Sequence, residues 1–285
     1  LGDVYKRQFL NRALQSYAVG SVFKPVLAAT ALEAGLQPVF ECTGAVVVDG
    51  QIFRCAGGVP HGQVDLAAAL EKSCNGYFIR LGQQLGAESL LDAAKAFGFG
   101  QSLLLAEGFA AEAGQLPTPQ ELAQSGQLAN FSFGQGSLLA TPMQVAALFN
   151  TLAADGVYRA PYVLQATLDE ATGQPVETLS HPRGRRVISA QNAALLRAML
   201  VQVVQQGTAQ DAAGLSGGAG GKTGTAQTGQ FTPEGTERCN LWFAGFWPAE
   251  KPRYTIVVLQ DGAVHTAYSG AAIFAQVCTA LEAAG

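Results

Sequence analysis

The chain holds 285 residues with a formal net charge of −4; 48% are hydrophobic and 13% are charged. That balance is globular and excludes a disordered chain, while the mild acidity and the lack of any basic block argue against nucleic acid as a partner. The length suffices for one large domain or two subdomains around a sizeable core. No run of about 20 apolar residues occurs, the length that a membrane-spanning helix needs.

Leu1 stands where a methionine would start a protein, which reads as a fragment. Residues 1–8 fit no element and are set aside as a non-native leader, leaving 9–285 as the domain. Residues 20–34 predict a helix. Val22, Phe23, Val26, Leu27 and Ala31 recur at helical spacing, Pro25 falls in the tolerant first turn, and Gly35 ends it. Residues 46–53, centred on Asp49-Gly50, predict a hairpin, and a loop carries on to Gly62. Asp65 caps a helix that runs to Ser73. Two more helices, 76–85 and 87–97, close at Gly86 and Gly98. Residues 116–126, with two prolines, read as irregular surface. Thr141 caps a helix with Pro142 at its first position, ending near Asp155-Gly156. Residues 158–167 read as a strand, followed by a turn at 171–173. Ser189 caps a long helix over 191–206, ended by Gly207. The glycine-rich stretch 214–221 reads as a flexible loop feeding a short strand at 222–226. Strands follow at 240–247 and 254–260, and a last helix at 270–284. Strands gather late and helices early. This predicts an α+β fold: an antiparallel sheet flanked by helices, with a mostly helical subdomain at roughly 36–155 inserted in the α/β part.

The five cysteines include no C-x-x-C pair, and His61, His181 and His265 are scattered along the chain, so no zinc site is expected. Cys42 and Cys55 bracket the hairpin; a disulfide staple and two free thiols both remain open. His61, beside Gly62 in a loop, reads as structural, and Cys74 as packing.

Ser21 and Lys24 stand three apart at the start of the first helix, hence on one face. An amine there can take the proton that an alcohol nucleophile must lose. Gly20 turns the backbone into the helix, whose free N–H groups favour developing negative charge. Ser-x-x-Lys alone is common by chance. Here Ser73-Cys74-Asn75 and Lys222-Thr223-Gly224-Thr225 follow in order, a set closely similar to that of penicillin-binding proteins and serine β-lactamases. A phosphate loop at Lys222 fails, because Ser216 occupies the place of its first glycine and no helix follows.

The stretches YAVGSVFKP, VDLAAALEKSCNGYF, FGQGSLLATPMQVA, GGKTGTAQ and NLWFAGFWPAEKPRYTIVVL make the chain resemble the transpeptidase domain of penicillin-binding proteins. Within that family the likeness is to the monofunctional class B type, from about Asn11 to the C-terminal helix. The resemblance implies a D,D-transpeptidase that cross-links peptidoglycan stem peptides through an acyl-enzyme and is acylated by β-lactams. Ser21 would be the nucleophile and Lys24 the base. Ser73 would relay a proton, Asn75 would hold Lys24 and the substrate amide, and Lys222 would add positive field. Thr223 and Thr225 would bind the substrate carboxylate, Gly224 would leave room for the acyl chain to lie against the strand, and the Ser21 and Thr225 N–H groups would form the oxyanion hole. It implies no cofactor or metal, an extracytoplasmic place, other cell-wall synthesis proteins as partners, and membrane attachment only through an N-terminal anchor outside this stretch. A D,D-carboxypeptidase shares these motifs. A β-lactamase lacks a convincing glutamate to activate water, and a β-lactam-sensing domain without turnover is the reading from another class.

Overall fold

The computed structural model describes residues 10–178 and 183–285; the leader 1–8 and His181 lie outside them. The fold is α+β. Three long strands, β1 (Gly220–Phe231), β2 (Glu237–Trp247) and β3 (Tyr254–Ala263), form an antiparallel sheet in that order. Trp242, Phe243, Ala244 and Phe246 on β2 are all buried. Successive side chains point to opposite faces, so the middle strand is covered on both, as its near-continuous apolar run requires. On one face the ring of Phe243 meets Phe274 at 4.8 Å.

The stretch expected as a flexible loop becomes strand at Gly220, earlier than expected. A Cβ on Gly220 would lie 2.3 Å from the Phe246 ring, and one on Gly221 2.4 Å from that of Phe243. These glycines make room for aromatics on the neighbouring strand.

Eight helices are named here: α1 (Lys24–Glu33), α2 (Leu66–Glu71), α3 (Asn75–Leu85), α4 (Ala87–Ala96), α5 (Ser125–Ser132), α6 (Pro142–Ala153), α7 (Ala190–Gln205) and α8 (Gly270–Ala283). The side chains of Asp65, Thr141, Ser189 and Ser269 each accept a backbone N–H in the first turn of the helix that follows, the cap that Ser, Thr and Asp favour. Residues 20–34 divide in two: a 3₁₀ turn over Gly20–Phe23, then α1. Helix α1 is buried almost all round, as a helix apolar on every side must be. At its entry the Phe23 ring sits 5.3 Å from Phe99 and 5.1 Å from Phe131.

Elsewhere the boundaries move. Stretch 116–126 contains a helical turn, Pro119–Leu122, with a reciprocal capping box between Thr118 and Glu121, a signal its prolines obscured. The strand expected over 158–167 is two separate pieces. Val157–Tyr158 pairs with Arg185–Arg186, and Ala166–Leu168 pairs with Pro175–Thr178. An unforeseen hairpin joins Leu103–Ala106 to Phe109–Ala111.

A small β module precedes α2. Phe40–Cys42 pairs with Gly62–Val64, and the Ala45–Val48/Gln51–Arg54 hairpin stands between them. Asp49 and Gly50 both take positive φ at the hairpin tip, the geometry that a two-residue turn favours.

Candidate active site

Three remote segments meet backbone to backbone around Ser21. Gly20 has φ +66° and donates its N–H to the Gly134 carbonyl at 2.8 Å. A Cβ on Gly20 would lie 2.7 Å from the Thr225 carbonyl oxygen, and one on Gly134 1.9 Å from that of Gly20. A Cβ on Gly224 would lie 3.1 Å from the Val22 nitrogen. The Cβ side of Gly224 is therefore filled by the Ser21 turn.

Behind this turn lies Lys24, fully buried. Its Nζ donates to the Ser73 carbonyl at 2.8 Å, to Ser73 Oγ at 3.2 Å and to Asn75 Oδ1 at 2.7 Å, and it stands 5.4 Å from the Phe78 ring centre. An ammonium has three donors, and all three are engaged away from Ser21, the residue it was expected to reach. Burial lowers its pKa to about 7, against an upward pull from Cys74 and Cys55. Lys24 therefore passes between charged and neutral forms near neutrality.

Ser73 joins α2 to α3. Its N–H bonds to the Leu70 carbonyl and that of Cys74 to the Ala69 carbonyl, a Schellman ending in which Ser73, at φ +53°, occupies the left-handed place usually given to glycine. Asn75 follows. Its Oδ1 holds Lys24, and its Nδ2 donates to the Arg54 carbonyl at 2.9 Å, so the side chain ties the β module to the helical core.

On β1, Lys222 is buried, with Nζ donating to the Thr223 carbonyl at 3.2 Å. Burial, and then the charge of Lys24, push its pKa well below that of a free lysine. Thr223 Oγ1 pairs with Thr208 Oγ1 at 2.6 Å, and Thr225 is exposed. Ser21, Ser73, Asn75, Thr223, Gly224 and Thr225 line one cleft of about 830 Å³, and the two lysines sit behind its wall. Thr208, Asn130 and Gln135 also line it without having been foreseen. Gln135 had a trace, lying between two glycines of the stretch FGQGSLLATPMQVA; Thr208, just past α7, carried none.

The cysteines and His61 depart furthest from expectation. Cys42 Sγ stands 3.6 Å from Cys55 Sγ, so the two are free thiols. Cys55 Sγ stands 3.8 Å from Cys74 Sγ, and Cys42 Sγ 3.5 Å from His61 Nδ1. The scattered donors are one cluster, because the β module folds Cys42, Cys55 and His61 back onto the α2–α3 corner.

Comparison with known proteins gives the family. Residues 2–279 match the family described as the penicillin binding protein transpeptidase domain. The whole chain is 32% identical to the peptidoglycan D,D-transpeptidase PbpA of Mycolicibacterium smegmatis, covering 58% of that protein. Over 92% of its length it is 31% identical to stage V sporulation protein D of Bacillus subtilis, covering 41% of it. The chain thus spans about half the length of these relatives. Among solved structures, penicillin-binding protein 3 of Mycobacterium tuberculosis in complex with aztreonam superposes with a TM-score of 0.85 at 30% identity, over 99% of this chain and 66% of that one.

Proposed function

Because the chain belongs to the penicillin-binding protein transpeptidase family, we propose that it is the catalytic domain of a peptidoglycan D,D-transpeptidase. The observation that carries this reading is the convergence of Ser21, Ser73–Asn75 and Thr223–Thr225 on one cleft, with Lys24 buried behind it. In this reading Ser21 Oγ attacks the carbonyl of the penultimate D-alanine of a stem peptide. Neutral Lys24 accepts the hydroxyl proton. To do so its amine must lose a proton, which a pKa near 7 allows at neutral pH, and turn from its Ser73 and Asn75 partners toward Ser21. Ser73 Oγ, 3.2 Å from Nζ, passes the proton to the nitrogen of the departing D-alanine. The Ser21 and Thr225 N–H groups receive the oxyanion, in a pocket where fixed donors act strongly.

β1 is an edge strand of the sheet, so an extended peptide can add beside it. Thr223, supported by Thr208, and Thr225 hold the substrate carboxylate, and Lys222 in its protonated form supplies positive field from behind. The amine of a second stem peptide then takes the acyl group from Ser21, forming the cross-link and freeing the hydroxyl. A β-lactam follows the first step only: its ring amide opens and its carbonyl stays on Ser21. This substrate places the domain outside the cytoplasm, among the proteins of cell-wall synthesis. Among the described residues no helix is long and apolar enough to cross a membrane.

The test is labelling with a fluorescent penicillin, followed by intact mass. The folded chain should carry one stable adduct, and Ser21→Ala none. Rapid release of the adduct would instead indicate a β-lactamase, and a folded wild type that stays unlabelled would reject the assignment. Release of D-alanine with and without an acceptor amine separates transpeptidase from carboxypeptidase.

A further inference from the structure

We propose that Cys42, Cys55, His61 and Cys74 form a tetrahedral Cys₃His centre for a divalent metal of the zinc class, set directly behind the Ser73–Asn75 turn so that loading it orders that turn. The four donor atoms all lie within 4.8 Å of one another. With metal–sulfur bonds of about 2.3 Å and metal–nitrogen bonds of about 2.0–2.1 Å, a tetrahedron has edges of about 3.8 Å between sulfurs and about 3.6 Å from sulfur to nitrogen. The Cys42–Cys55, Cys55–Cys74 and Cys42–His61 separations of 3.6, 3.8 and 3.5 Å are edges of that size. Thiolate-rich tetrahedral sets suit zinc rather than hard cations. A disulfide uses two of these groups and leaves a third thiol and an imidazole unexplained.

The surroundings fit a thiolate centre. The Tyr77 N–H donates to Cys74 Sγ at 3.4 Å. Such an outer donor orients a sulfur ligand and offsets its charge. Three thiols release three protons as they bind the dication, leaving a net charge of −1 at the start of α3. Cys74 caps this eleven-residue helix, and anions are stabilised at such an end. Three donors are buried and His61 is half-exposed, which leaves a way in.

The β module also needs such a centre. Val39, Val47, Ile52 and Val59 are each more than half exposed, and of its strand residues only Cys42, Val48, Phe53 and Val64 are buried, so its apolar core is small, and small loop-rich units of this kind gain from staples. The centre reaches the cleft through the chain. Cys74 lies between Ser73 and Asn75, and Cys55 follows Arg54, whose carbonyl accepts the Asn75 amide. The residues on either side of Cys74 are those that hold Lys24.

The experiment is a cobalt titration of the reduced, metal-stripped full chain, with zinc content measured on the chain as isolated. One zinc per chain is expected. Cobalt should give strong thiolate charge-transfer absorption in the near ultraviolet and tetrahedral visible bands. Cys55→Ser should weaken affinity by more than the ~10–100-fold that losing an outer partner costs. His61→Ala, at a half-exposed position, should keep the charge-transfer band while altering the visible ones. Ser21→Ala should bind cobalt like the wild type, so a failure of the proposed catalysis would leave this result untouched. A folded, reduced wild type without thiolate charge transfer would overturn the centre, as would equal metal uptake by Cys55→Ser. A disulfide-bonded chain that takes up no cobalt after reduction would overturn it too. Zinc removal should slow penicillin labelling, and zinc return should restore it; an unchanged rate would overturn the ordering role.

Discussion

The sheet half and the small β module are both antiparallel, yet they are held by opposite means. In the sheet half, β2 buries aromatics on both faces and glycines on β1 thin to receive their rings. In the module, Val47, Ile52 and Val59 face water, and a small inner side of Val48, Phe53 and Val64 stands beside the thiols of Cys42 and Cys55 and the His61 imidazole. The comparison teaches that the cleft has one wall stiffened by packing and one whose order depends on side-chain ligands and hydrogen bonds. Lys24 stands between them, rooted in the core and bonded to the turn that the module supports.

The largest effect should come from the packed wall. Phe243→Ala should cost about 3–5 kcal/mol in denaturant unfolding, the usual range for a buried phenylalanine; a loss below about 1.5 kcal/mol would break the contrast. Gly221→Ala should cost about 1–3 kcal/mol by overpacking, because its new methyl would meet the Phe243 ring. Removing that ring in Phe243→Ala/Gly221→Ala should relieve part of this cost, read as non-additivity in the same assay.

Lys24 tests the seam between the walls. As its pKa is lowered to about 7, the neutral base is scarce below that pH and dominant above it. The penicillin acylation rate should therefore rise about tenfold per pH unit below 7 and level off above it. A profile that stays flat between pH 5 and 8 would reject Lys24 as the base. The smallest effect belongs to the module surface: Ile52→Ser, about half exposed, should move stability by no more than about 0.5 kcal/mol. A large loss there would show that this face of the module is covered rather than turned to solvent.

Much of the site was legible, because its motifs are short and local. Ser21 and Lys24 declare themselves by spacing, and Asp65, Thr141 and Ser189 by capping chemistry. The layers followed from apolar periodicity. What escaped depended on partners remote in sequence. Gly220 and Gly221 read as loop because the rings that demand glycine there lie on another strand. Thr208 reaches Thr223 only once α7 and β1 are side by side. Cys42 and Cys55 stand thirteen residues apart, outside any short metal-ligand spacing, and only the hairpin between them brings their sulfurs together. Gly224 was noticed for its missing side chain, and the structure adds a neighbour that needs the space, the Ser21 turn.

The meeting of Gly20, Gly134 and Gly224 around Ser21 narrows the routes by which this domain can escape an acylating drug. A side chain at Gly20 or Gly134 would run into the backbone of a neighbouring segment, and one at Gly224 would press on Val22 and Val19. Variation that slows drug attack yet spares the nucleophile has to accumulate on the cleft walls, at positions such as Ile52, Gln135 and Gln227, where a new side chain meets solvent instead of the turn. Resistance in such a protein would be written around its nucleophile rather than into it.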